Sequence, residues 1–141
     1  MFAHTHKLIV EWGDCDPAGI VFYPRFFAMF DAATAFLLEE ASGRSRAALI
    51  SHYEILGWPM VDTRAVFHAP VSFDDKVEIK SEILRVGRSS FDVEHELFRE
   101  SVRCVTASET RVWSTKSREG ISSHPLPDEL RSALLAGQDR S

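Results

Sequence analysis

At 141 residues the chain fits one domain and can bury a sizeable core without metal or disulfide support. Its 45% hydrophobic and 26% charged residues are those of a soluble globular protein, not a disordered or fibrous one. A formal net charge of −5 argues against a nucleic-acid binder that works through overall electrostatics, while leaving room for a local basic patch facing a phosphorylated ligand.

Met1 to Lys7 has no apolar stretch of the kind that opens a signal peptide, and no run is long enough to cross a bilayer. The expectation is a cytoplasmic protein without membrane insertion. Cys15 and Cys104 are compatible with free thiols or with one bridge.

In chain order, His4 to Trp12 reads as a first strand. A turn-forming segment follows, in which Gly13 and Gly19 relax the backbone, Pro17 biases Asp16 toward an extended conformation and Pro24 suits a first helical position. Phe22, Phe26, Phe27, Phe30, Ala33, Leu37, Leu38 and Ala41 then recur at helical spacing, with a stop at Gly43. A helix this apolar around its circumference is enclosed on several sides. Residues 44–58 predict a second, shorter helix and a turn at Gly57-Trp58-Pro59.

Beyond that turn, Met60 to Val71, Val77 to Ile83, Phe91 to Leu97 and Val102 to Thr115 read as strands, separated by turns at Ser72-Asp75 and near Gly87. Asp128 to Leu135 predicts a terminal amphipathic helix, followed by a polar tail expected to fray. One apolar helix and about five strands bury their apolar faces most economically against each other, so the class is α+β.

Two carboxylates stand just ahead of the long helix, at Asp14 and Asp16. The first amides of a helix lack intrahelical partners and the dipole there favours negative charge, so a carboxylate beside a donor at Tyr23 is a candidate reaction centre. Asp16 precedes Pro17, which has no N–H to offer, and this leaves its oxygens freer for a substrate or water; an Asx turn or helix cap is the competing reading. Asp14 is expected to brace the loop.

Gly13-Asp14-Cys15-Asp16-Pro17-Ala18-Gly19-Ile20-Val21, with Tyr23-Pro24 and Asp31, resembles the signature of the hotdog-fold 4-hydroxybenzoyl-CoA thioesterase family. The resemblance extends in length and element order from about residue 4 to residue 116 of a single domain spanning 1–141, and the tail from 117 on matches nothing recognisable. It implies a five-stranded antiparallel sheet wrapped around the long helix. It also implies an acyl-CoA thioesterase in which Asp16 is the catalytic carboxylate, as nucleophile or general base, and the Tyr23 amide polarises the thioester carbonyl.

By the same resemblance, Asp31 meets a 4-hydroxyl on an aromatic acyl group, while Arg85, Arg88, Ser89 and Ser90 approach the phosphates of CoA, with fewer charges than the most basic members carry there. The family's hotdog dimers, which go on to tetramers, imply an active site between subunits, with Asp16 facing Gly57, Trp58, Pro59 and Met60 of the other chain. No cofactor is implied, CoA being part of the substrate. No metal is expected either: the spacing of His4, His6 and Cys15 fits no dedicated site.

His68 and His95 read as packed or surface imidazoles. Three alternatives stay open: a broad-range thioesterase for short aliphatic acyl-CoAs, a non-catalytic acyl-CoA-binding module, and a hydratase of the same fold. The hydratase would need a histidine with an acidic partner, and the signature loop has none.

Overall fold

The computed structural model describes residues 1–137, and the last part of the polar tail expected to fray, from position 138, lies outside the described residues. The elements are β1 (Ala3–Ile9), α1 (Tyr23–Ser42), α2 (Arg46–Tyr53), β2 (Met60–Phe67), β3 (Lys76–Val86), β4 (Ser90–Arg99), β5 (Val102–Val112), β6 (Ser114–Ser117), β7 (Gly120–Ser123) and α3 (Asp128–Leu135). Strands β1 to β5 form one antiparallel sheet in the order β1-β3-β4-β5-β2, and β6 and β7 pair as a separate hairpin.

Three strands are shorter than the sequence suggests, β5 among them, which stops at Val112 before Ser114 opens β6. The first ends at Ile9, because Val10 bonds out to the Asp74–Asp75 turn and Trp12–Asp14 wind into a single 3-10 turn. The second ends at Phe67, where His68 and Ala69 both donate to the Cys104 carbonyl.

Helix α1 begins with Pro24 in its first turn and ends where Gly43 adopts the left-handed conformation at φ 71°, its N–H closing on the Glu39 carbonyl. Its buried residues include Phe26, Met29, Phe30, Ala33, Thr34, Leu37 and Leu38, the spacing of one broad helical face. Ser45 caps α2 by accepting from the Ala48 N–H at 3.1 Å.

The sheet offers α1 its inward residues: Val77, Ile79, Ser81 and Ile83 of β3, then Phe91, Val93, His95 and Leu97 of β4, then Val105, Ala107, Glu109 and Arg111 of β5. Two apolar clusters result. One joins the first half of α1 to Val77, Ile79, Leu97 and Val105; the other joins its second half to Ile83, Phe91, Val93, Trp113, Leu49 of α2 and Leu130 and Leu134 of α3.

Between the two clusters runs a buried polar row. Ser81 Oγ lies 2.7 Å from His95 Nδ1, and His95 Nε2 lies 3.1 Å from Thr34 Oγ1 and 3.4 Å from Glu109 Oε1. Thr34 also donates to Glu109. Arg111 grips the same carboxylate with two N–H groups, Nε to Oε1 at 3.1 Å and Nη2 to Oε2 at 3.2 Å. Burial alone would raise the Glu109 carboxyl, but the hydrogen bonds and charges of His95 and Arg111 outweigh it and hold it below the ordinary carboxylate range.

Glu109→Gln leaves Arg111 without its bidentate partner and is expected to destabilise the fold by about 3 kcal/mol near neutral pH. Because the folded pKa lies below the unfolded one, the ionised carboxylate's contribution is complete above the ordinary value of 4.5 and is lost as pH falls through the folded value. Denaturant titrations should therefore show the gap between wild type and variant closing in that acid window. A gap unaltered from neutral pH to well below 4.5 would overturn the assignment.

Candidate active site

The loop after β1 doubles back on itself. Cys15 bridges Val21, the Asp16 N–H donates to the Ile20 carbonyl at 2.9 Å, and the Gly19 N–H donates to the Asp16 carbonyl at 2.9 Å to close a tight turn over Pro17 and Ala18. Gly19 sits at φ 81°, where a side chain would be strained. Asp14 braces the loop from both ends: its Oδ2 accepts the Glu11 N–H at 3.0 Å and its carbonyl accepts the Phe22 N–H at 2.9 Å.

The Asp16 carboxylate is less free than its place before Pro17 suggests. Pro17 offers no donor, but Ala18 does, and its N–H reaches Asp16 Oδ1 at 2.8 Å. The Asx turn is therefore present, and it uses one oxygen. Oδ2 has no hydrogen-bond partner among the described residues. Desolvation, then the charges of Asp14, Asp16 and Asp75, push the thiol of the half-buried Cys15 above its ordinary range, which disfavours the nucleophilic thiolate.

At the start of α1 the Phe22 N–H is used by Asp14 and the Arg25 N–H by the Phe22 carbonyl. Pro24 has no N–H, and the Tyr23 N–H has no backbone acceptor among the described residues, at the positive end of a 20-residue helix. The Tyr23 ring meets the rings of Phe22 and Phe67. Beside it opens an apolar cavity of about 290 Å³ whose walls include Val21, Tyr23, Phe26, Phe67 and Val71.

Asp31 stands farther along α1 with its side chain 42% exposed. Its Oδ1 pairs with Arg111 Nη2 at 2.8 Å, and its Oδ2 lies 3.8 Å from Arg46 Nη1. Arg46 lies over the Trp58 indole at 5.3 Å, and Arg111 Nη1 donates to the Trp58 carbonyl at 3.3 Å. Trp58 itself is 3% exposed and stacks on Trp113, so its ring belongs to the core of its own chain, while Gly57, Pro59 and Met60 stay partly exposed.

Of the basic turn residues, Arg85 is committed within the sheet: it holds Asp92 through Nε at 2.8 Å and Nη2 at 3.1 Å, and it also donates to Ser90 Oγ at 2.9 Å. The Arg85 hydrogen bond keeps the Asp92 carboxyl below its usual range. Arg88 is exposed, and neither it nor the Ser89 hydroxyl has a side-chain partner among the described residues. The structure thus separates the four: Arg85 and Ser90 brace the turn, Arg88 is exposed, and the half-buried Ser89 keeps its hydroxyl free of a side-chain partner among the described residues.

Asp16 and Arg88 are not neighbours. The Asp16 loop bonds to residues 71–75, just before β3 begins, and the Arg88 turn follows its other end. With 11 residues in β3, the two lie about 33 Å apart along the sheet, at about 3.3 Å per residue.

The residues that sequence reasoning missed are Thr34, Glu109 and Arg111. A signal existed: Glu109 and Arg111 occupy alternate positions between Ala107 and Trp113, so the strand period alone turns both charges inward. His95 is packed, with no exposed surface, and its acidic partner Glu109 is sealed with it. This His–Glu pair has no access to a ligand. Among the described residues no group of His, Cys, Asp or Glu side chains could hold a metal ion.

A model of the Thioesterase superfamily matches residues 18–106, and the chain belongs to that family. The 4-hydroxybenzoyl-CoA thioesterase of Pseudomonas sp. strain CBS-3 is 31% identical over 128 residues, covering 87% of this chain and 91% of that protein. The solved structure of a 4-hydroxybenzoyl-CoA thioesterase from the same strain superposes with a TM-score of 0.87 at 28% identity, over 94% of this chain and 99% of that one. A gentisyl-coenzyme A thioesterase superposes with a TM-score of 0.82 at 31% identity, over 93% of this chain and 99% of that one. The fold is the hotdog fold of these enzymes, and the protein is a thioester hydrolase.

Proposed function

We propose that the chain hydrolyses an aromatic, hydroxyl-bearing acyl-CoA to the free acid and CoA, through Asp16 and the Tyr23 amide. The observation that carries this reading is the pairing on one short hairpin of a carboxylate with a single free oxygen and an unspent N–H at a helix N-terminus, beside an apolar cavity. The thioester carbonyl oxygen accepts the Tyr23 N–H, which stabilises the negative charge that develops as the carbonyl carbon is attacked; one such donor is typically worth about 3 kcal/mol.

Either Asp16 Oδ2 attacks directly, expelling the thiolate and leaving an anhydride that water cleaves, or it takes a proton from the water that attacks. Both routes consume one water and release acid and thiol. An aromatic acyl group is supported by the phenylalanine-lined cavity and by the named substrates of the two relatives. Asp31, with Oδ1 held by Arg111 and Oδ2 only loosely approached by Arg46, is suited to accept a phenolic hydroxyl.

The working unit in this proposal is a dimer, or two dimers joined. Strand β2 is a sheet edge whose Val61, Val66 and Phe67 are exposed, and such edges are normally paired or covered. A two-fold antiparallel pairing of β2 with its copy sets Met60 of one chain near Phe67 of the other, hence near the partner's Tyr23. The Arg88 turn of one chain can then serve the Asp16 loop of another.

Asp16→Asn is expected to lower kcat at least a hundredfold in steady-state thiol release while leaving acyl-CoA binding largely intact; more than about a tenth of wild-type turnover, a barrier change of only ~1.4 kcal/mol, would exclude Asp16 as the reacting carboxylate. Asp31→Ala should lower kcat/KM for a 4-hydroxylated aromatic thioester about tenfold more than for its unsubstituted analogue, since only the former loses a hydrogen bond, and equal losses on both would reduce Asp31 to a structural residue. Light scattering at assay concentration should give a mass at least twice that of one chain. An active single chain would rule out the shared site.

A further inference from the structure

The β3–β4 turn is peptide backbone, and a peptide turn presents acceptors as readily as donors. A phosphate accepts only, so a turn that meets one must dispose of its carbonyls. Here the four carbonyls from Gly87 to Ser90 each already accept a hydrogen bond, three of them from outside the turn. The Gly87 and Arg88 carbonyls accept from the Arg131 guanidinium, the latter at 3.0 Å, and the Arg88 carbonyl also accepts the Leu126 N–H at 2.9 Å. The Ser89 carbonyl accepts the Trp113 N–H at 2.7 Å and the Ser90 carbonyl the Gly87 N–H at 2.7 Å. What the turn exposes is the Arg88 side chain, with the half-buried Ser89 hydroxyl beside it free of a side-chain partner among the described residues.

The group behind the turn is well anchored. Leu130 and Leu134 of α3 are buried against Leu37, Leu38 and Phe91, and the Tyr53 hydroxyl donates to Glu129. Arg131 thus carries the rigidity of the core to a turn that has no apolar side chain of its own between residues 87 and 90.

Resting on the CoA reading above, we infer that Arg131 of α3 is a positioning residue for the nucleotide end of the substrate: by occupying the Gly87 and Arg88 carbonyls it holds the β3–β4 turn in the form that offers donors to a phosphate. Arg131 does not touch the substrate. Its effect passes through Arg88, and it bears only on esters that carry the nucleotide.

The test compares KM for the CoA ester with KM for the N-acetylcysteamine thioester of the same acid, which lacks the nucleotide and its phosphates, in Arg131→Met, Arg88→Ala and the double variant. Arg131→Met should raise the CoA-to-truncated KM ratio about tenfold, and on the Arg88→Ala background it should add less than about twofold. Turnover of the truncated ester reports that each variant is folded. Should Arg131→Met lose α3, Arg131→Gln, which keeps a neutral donor, is expected to shift the ratio in the same direction by less.

An Arg131 variant that shifts both esters alike, or leaves the ratio unchanged while Arg88→Ala raises it, overturns the inference and spares the nucleotide site. Effects of Arg131→Met and Arg88→Ala that multiply in the double variant also overturn it, since Arg131 would then contact the phosphates itself. If Arg88→Ala leaves the ratio unchanged, the turn is not the nucleotide site and both readings fall.

Discussion

The position of α1 on the sheet is set by a polar row inside an apolar core. Ser81, His95 and Glu109 lie on three neighbouring strands between the two hydrophobic clusters, and Thr34 is the helical side chain that meets them. Apolar packing alone tolerates sliding, because one leucine replaces another with little penalty. A hydrogen-bonded row does not: moving the helix by one turn, about 5.4 Å, would leave buried donors and acceptors unpaired.

The register fixed at Thr34 propagates in both directions along the helix. One turn toward the N-terminus it presents Asp31 to Arg111, the end of the same row, and so joins a buried carboxylate to a surface one through a single guanidinium. Two turns further it places Tyr23 beside Phe67 and sets the angle at which the Asp16 loop leaves the helix. Geometry at the proposed reaction centre is thus inherited from a region that no substrate reaches. The loop adds its own restraints in Asp14, Gly19 and the Asp16 to Ala18 bond.

Much of this was legible in the chain itself. Period-3.6 and period-2 patterns located α1, α2, α3 and the five sheet strands, because apolar residues recur at those spacings even where Thr34, Ser81, His95, Glu109 and Arg111 interrupt the buried faces. The β6–β7 hairpin was not legible: Ser114 to Ser123 carries one large apolar residue, Ile121, and the hairpin is held by backbone pairing after Trp113 has already filled the core. At Asp16 the sequence left two readings open, a freer carboxylate and an Asx turn, and the Ala18 N–H on Oδ1 shows that the turn forms while Oδ2 stays outside it.

Partners distant in sequence were out of reach for a different reason. Nothing local to Asp31 announces Arg111, nor does anything near Arg88 announce Arg131; those pairs exist only because strand order and helix docking bring the segments together. The familiar signature made Asp16 and Tyr23 conspicuous and left Thr34, Glu109 and Arg111 unmarked, although the last two were visible as charges on an inward-facing strand register.

Gly87 gives the turn room on its inner side. Its backbone does not require glycine, but a Cβ there would come within 2.6 Å of the Arg85 Nη1 and 2.9 Å of Ser90 Oγ, both movable side-chain ends. A Cβ at 87 would also meet the Ser90 carbonyl at 3.3 Å, so a larger residue there forces the Arg85 and Ser90 side chains to shift within the turn they brace. The absence of a side chain at 87 is thus what lets Arg85 lie close against the turn while holding Asp92 from the strand side.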